Sequence, residues 1–181
     1  MRMLKISVLA LVSALSLAAC GRDGLTDPDD LRTGQFEGQI SGTLDGWVEG
    51  EALSGSTSQN LHDLIVLTDY EQGIEITLYH AWDEFYEGRF PIGDAVLEDE
   101  DIVAYVRLLD TGEWFDSVDG VIDLHDVRGS GIAGTASFRA ESEFDSRDVL
   151  DVDVSFVTDY DGGIDFNLSP SFSVRAKPTS R

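Results

Sequence analysis

The chain of 181 residues contains a single cysteine, Cys20, so no intramolecular disulfide is available and stability must come from burial and hydrogen bonding. Basic residues are scarce as well: 12 Lys and Arg stand against 35 Asp and Glu, a formal charge of −23. That imbalance excludes nucleic acid and anionic lipid headgroups as partners held by charge, because both are repelled at long range. The three histidines, His62, His80 and His125, share no metal-ligand spacing, and neither a Gly-x-Ser-x-Gly elbow nor a glycine-rich phosphate loop occurs. Carboxylates are so abundant that no glycosidase-type pair stands out, and no catalytic residue is assigned. No apolar run reaches the roughly 20 residues of a membrane-spanning helix, and no helical period follows residue 35.

What is present begins with a leader. Arg2 and Lys5 precede an uncharged apolar stretch of 14 residues, Ile6 to Ala19, which is the length of a signal-peptide core. It ends Leu17-Ala18-Ala19-Cys20, which resembles the lipobox of bacterial lipoproteins. The resemblance implies that the Cys20 thiol receives a diacylglyceryl group and that cleavage leaves Cys20 as the acylated N-terminus. Two or three acyl chains, at about 0.8 kcal/mol per buried CH₂, make such attachment effectively permanent. Gly21, in place of Asp, resembles the outer-membrane sorting signal of enteric-type lipoproteins. The expectation is therefore a protein of the cell envelope, lipid-anchored at the outer membrane, with residues 1–19 as signal peptide.

Residues 20–34, CGRDGLTDPDDLRTG, are poor in apolar groups and read as a lipidated flexible tether, able to reach roughly 50 Å at about 3.3 Å per residue. Residues 35–181 are then a single all-β domain of ordinary size. The leader holds two of the basic residues and none of the acidic ones, so the mature chain carries −25.

Strand signals dominate this domain. Leu150, Val152, Val154 and Phe156 alternate with Asp151, Asp153 and Ser155, and Ile164, Phe166, Leu168, Phe172 and Val174 alternate with polar residues in the same way. Such alternation belongs to antiparallel sheet with one face on a core and one in water. The spacing predicts about ten strands, near 35–41, 43–53, 62–68, 73–82, 85–91, 101–109, 120–127, 131–141, 149–158 and 163–176. An antiparallel β-sandwich is the preferred arrangement, with a meandering, lipocalin-like β-barrel as the alternative. The Gly-x-Trp signature of lipocalins is absent, since the chain has Asp45-Gly46-Trp47. An internal echo relates Leu67–Leu78 to Val157–Leu168 and Ile40–Thr43 to Ile132–Thr135. Duplication and convergent turn chemistry both account for it.

The hairpin formed by Gly120–Leu124 and Gly134-Thr135-Ala136-Ser137-Phe138 resembles one recurring in uncharacterised small all-β bacterial lipoproteins. The Glu87–Gly93 segment is similar to their Gly-x-Tyr-x-x-Gly turn, with Phe90 where Tyr is common. The resemblance implies a fold and a location and carries no site residues.

Two candidate sites emerge. Tyr79 to Tyr86 is the densest aromatic segment, and Trp82 and Tyr86, with Trp114 as a second platform, offer rings that stack on sugars while neighbouring acids accept hydroxyl hydrogen bonds. Against this, strand-end aromatics commonly plug a core, and Trp82 continues the inward set Ile74, Ile76, Leu78 and His80, leaving Tyr86 as the exposed member. Asp159 and Asp161 flank Tyr160 in a turn where carboxylates can converge on Ca²⁺, though Gly163 and Pro170 depart from an EF-hand loop; a solvated acidic face is the preferred reading. No cofactor is otherwise implied. The composite expectation is a non-enzymatic binding or structural module, held to the membrane by its N-terminal lipid, with a glycan or an envelope protein as partner. A small envelope hydrolase and a calcium-dependent adhesion or glycan-binding domain remain as alternatives.

Overall fold

Alternating side chains force the chain to place one face of each strand against a core, and the fold meets this with one continuous sheet. The structure, a computed structural model, describes residues 25–56, 64–80, 85–94, 102–128 and 130–160. A short 3₁₀ turn, Pro28–Asp30, is followed by β1 (Gln35–Gly42), β2 (Gly46–Gly55), β3 (Leu64–Asp69), β4 (Ile74–His80) and β5 (Gly88–Ile92). Then come β6 (Ile102–Leu108), β7 (Trp114–Arg128), β8 (Gly131–Ser142), β9 (Val149–Val157) and β10 (Asp159–Tyr160). The protein is all-β, as the alternation predicts.

The strands hydrogen-bond in the order β1-β9-β8-β7-β5-β6-β4-β3-β2-β10, and the pairs β1–β2 and β7–β6 return that order on itself. Around the resulting ring, β1 to β4, β6, β7, β8 and β9 run antiparallel to their neighbours. β5 is inserted where β6 and β7 diverge, antiparallel to β7 and parallel to β6. β10 lies parallel to β2, giving a mixed sheet. The closed order leaves few strand edges unpaired, which removes a route to aggregation.

Inside the ring a single apolar cluster draws on β1 to β9, including Phe36, Val48, Leu67, Leu78, Phe115, Phe138 and Phe156. The strands coil tightly enough that some inward positions admit no side chain. A Cβ on Gly38 would collide with the Asp153 carbonyl, and one on Gly50 with the Thr68 carbonyl. A buried hydroxyl links three segments: the Thr158 hydroxyl accepts from the Ile132 N–H at 2.8 Å and donates to Ser54 Oγ at 2.8 Å. On the outside, Glu49, Glu51, Asp151 and Asp153 stand in water.

The described residues add detail to the sequence reading at three places. The tether read over 20–34 is part of the domain from Asp27 onward. Asp27 caps the 3₁₀ turn, Pro28 is buried, the Gly34 N–H donates to the Val157 carbonyl at 2.7 Å, and the Gly34 carbonyl accepts from Ala52 at 3.0 Å. Pro28 supplies the apolar anchor that the polar composition of this stretch disguised. β7 starts at Trp114, six residues before the predicted 120, because a register shift between Ser117 and Asp119 breaks the alternation there without ending the strand. The two echoed Thr-Asp-Tyr segments also occupy different settings. Asp69 caps the tight β3–β4 turn through Glu71 and Gln72, whereas Asp159 and Tyr160 pair in parallel with β2. The predicted strand 163–176 lies outside the described residues.

Candidate functional site

Where β6 and β7 part to admit β5, the outer wall gathers charged and aromatic side chains. Ala104 and Val106 point into the core, so Tyr105 and Arg107 face outward. On β7, Phe115 is in the core and Trp114 and Asp116 face outward beside them, with Tyr105 opposite Asp116 and Arg107 opposite Trp114. Ser117 holds the point of divergence. Its Oγ accepts from the Ala104 N–H at 3.0 Å and donates to the Gly93 carbonyl at 2.7 Å, joining β6, β7 and the end of β5. The β8–β9 turn closes the upper rim, where the Glu143 N–H donates to the Trp114 carbonyl at 3.1 Å and Ser142 Oγ donates to Glu113 Oε1 at 2.8 Å.

The side chains interlock. Trp114 and Tyr105 meet edge to face, centroids 6.5 Å apart, and the Arg107 guanidinium lies 5.2 Å from the Trp114 ring centre. Arg107 thus brings a positive charge onto a wall otherwise rich in acids. Burial raises the Asp116 pKa to about 6, and the nearby carboxylates Glu143 and Asp94 push in the same direction. Burial also raises the pKa of Tyr105, followed by Asp116, Tyr79 and Glu143, so the phenol stays protonated. The strip therefore brings together a phenol, a guanidinium, two aromatic rings and a carboxyl that exchanges a proton near pH 6. Such groups recognise hydroxyl-rich ligands by hydrogen bonding and ring contact.

Of the sequence candidates, Trp114 belongs to this strip, partly covered by Arg107. Tyr86 is 55% exposed and packs edge-on against Phe90 at 4.6 Å. It lies near the other end of β7, since Gly88 pairs with Leu124, which is ten residues along the strand from Trp114 and roughly 30 Å away at about 3.3 Å per residue. The fold does not bring Tyr86 and Trp114 together. Asp159 is exposed on β10. Among the described residues no three His, Cys, Asp or Glu side chains converge as a metal site would need. Cys20, Trp82 and Asp161 lie outside the described residues.

Tyr105, Arg107, Asp116 and Glu143 went unread in the sequence. The alternation in 102–108 does place Tyr105 and Arg107 on a polar face, but beginning β7 at 120 removed Trp114 and Asp116 from any strand. No protein-family model, curated protein or solved structure matches the chain.

Proposed function

We propose that the protein is a lipoprotein of the cell envelope, anchored through Cys20 at the outer membrane, and that its acidic domain is a non-enzymatic binding module for a glycan. The observation that carries the binding part is the strip Tyr105–Arg107–Trp114–Asp116 on the outer wall, in which aromatic edges stand beside a guanidinium and a carboxyl. Support for the anchor comes from the lipobox-like Leu17-Ala18-Ala19-Cys20 and from the leader before it. With the interior occupied by apolar side chains drawn from the whole ring, recognition falls to the exterior.

The test is calorimetric titration of the mature chain carrying Cys20→Ala with oligosaccharides of the envelope, neutral and charged. Binding is expected to be abolished by Trp114→Ala and by Asp116→Asn, each with the melting temperature kept within a few degrees. Failure of every glycan to bind, or binding that survives both substitutions, would overturn the assignment of this strip.

A further inference from the structure

A second part of the outer wall is apolar and covered. Leu64 and Val103 are 0% exposed, Val66 6% and Thr77 7%, although their neighbours Ile65, Leu67, Ile76, Leu78 and Ala104 are the ones that join the core. Strand alternation therefore turns the first four outward. The register sets Leu64, Tyr79 and Val103 in one row across β3, β4 and β6, and Val66, Thr77 and Tyr105 in the next. The 3₁₀ turn packs elsewhere, against β8 and β9. An outward apolar face buried to this degree requires a cover.

We infer that the face is a docking surface for the chain's own C-terminal segment, residues 163–176. Its starting point is favourable: on β10, Asp159 and Tyr160 lie opposite Leu53 and Ser54, and the next residue of β2, Gly55, is opposite Leu64. The chain thus leaves β10 one position short of the Leu64 row. From β2 across to β6 is three strand spacings, about 15 Å, whereas 14 extended residues span roughly 45 Å. Composition fits as well. Once the apolar leader 1–19 is removed, as the proposed function has it, residues 161–181 carry six apolar side chains, Ile164, Phe166, Leu168, Phe172, Val174 and Ala176, against one, two and three in 57–63, 81–84 and 95–101. Most of them alternate with polar residues, which would give an extended segment one apolar side. The same stretch ends with Arg175, Lys177 and Arg181, three of the ten basic residues of the mature chain, and the wall beside the face carries Glu75, Asp116 and Glu143. Apolar pattern and charge are both complementary to the face. This inference goes beyond the glycan proposal and stands without it, and it rests on the proposed removal of residues 1–19.

The experiment uses the full mature chain with Cys20→Ala and a reporter thiol, Val103→Cys, labelled by a small maleimide under native conditions. Labelling is expected to be slow and to accelerate about tenfold or more when Phe166→Asp and Phe172→Asp are added, because cover, not the core, then limits access. An unchanged rate in a variant with an intact far-UV spectrum would overturn the inference. Should that variant not fold, hydrogen exchange on the chain without these substitutions decides: amides of 164–174 slowed about tenfold or more relative to a free peptide support docking, and free exchange overturns it. Protection of the reporter thiol that grows with protein concentration, together with a rising sedimentation coefficient, would assign the cover to a second copy and also overturn it.

Discussion

Asp116 stands opposite both Tyr105 and Glu141 on the outer wall, half-buried, with Glu143 and Asp94 adding negative potential. Its pKa is raised from 3.8 to about 6, so between those values the native state holds a proton that the unfolded chain has released. Stability is therefore expected to fall as pH rises from about 4 to 6, by on the order of 1–2 kcal/mol once solvent screening of a half-buried group is allowed for. Melting temperature against pH measures this, and Asp116→Asn is expected to flatten that part of the curve; an unaltered slope would remove Asp116 as its source. A second residue-scale contrast concerns the two Thr-Asp-Tyr segments. Asp69 is buried and accepts from Glu49 at 3.0 Å and from Glu71 and Gln72 at 2.9 Å, while Asp159 is exposed. Asp69→Ala is expected to cost about 2–3 kcal/mol by stranding these donors, and Asp159→Ala under about 0.5 kcal/mol. Chemical denaturation of both variants checks it, and equal costs would argue for equivalent roles.

At the scale of the element, β1 illustrates how closely the ring coils. Gln35–Gly42 pairs with β2 on one side and β9 on the other, and Gly38 sits inward between Phe36 and Ile40. Because a Cβ there meets the Asp153 backbone, relief requires the strands themselves to shift. Gly38→Ala is expected to cost about 1–3 kcal/mol, as overpacking does, against a neutral outcome at Gly46, where a Cβ has open space. Thermal melts of the two variants compare them directly. β7 shows the opposite behaviour. Its length comes from tolerating two register shifts, at Ser117/Asp119 and Leu124/Asp126, and the first lets Ser117 turn inward to join three strands. That irregularity creates the outer strip with Trp114 and Asp116.

For the whole molecule the proposed anchor makes the simplest prediction. Cys20→Ala is expected to move the protein from the detergent phase to the aqueous phase in phase partitioning, and to remove the lipid mass from the mature N-terminus; unchanged partitioning would refute the lipobox reading. Residues from Asp27 onward belong to the domain, so Cys20 lies only eight residues from buried Pro28, a reach of at most about 30 Å. An anchored domain would thus stand nearer the bilayer than a free 15-residue tether allows. The all-β class and most strand positions were legible in the sequence because side-chain direction in a strand alternates strictly, and one solvated face keeps that alternation visible, as in Val149–Val157. Local chemistry likewise exposed the turn at Asp69. The closure of β9 onto β1, the fusion of 27–34 with the domain and the meeting of Tyr105, Arg107, Trp114 and Asp116 were decided only by the tertiary structure. These depend on which strands become neighbours and where a register shifts. Pairing of that kind is settled by the packing of the whole core, and no single strand carries the information locally.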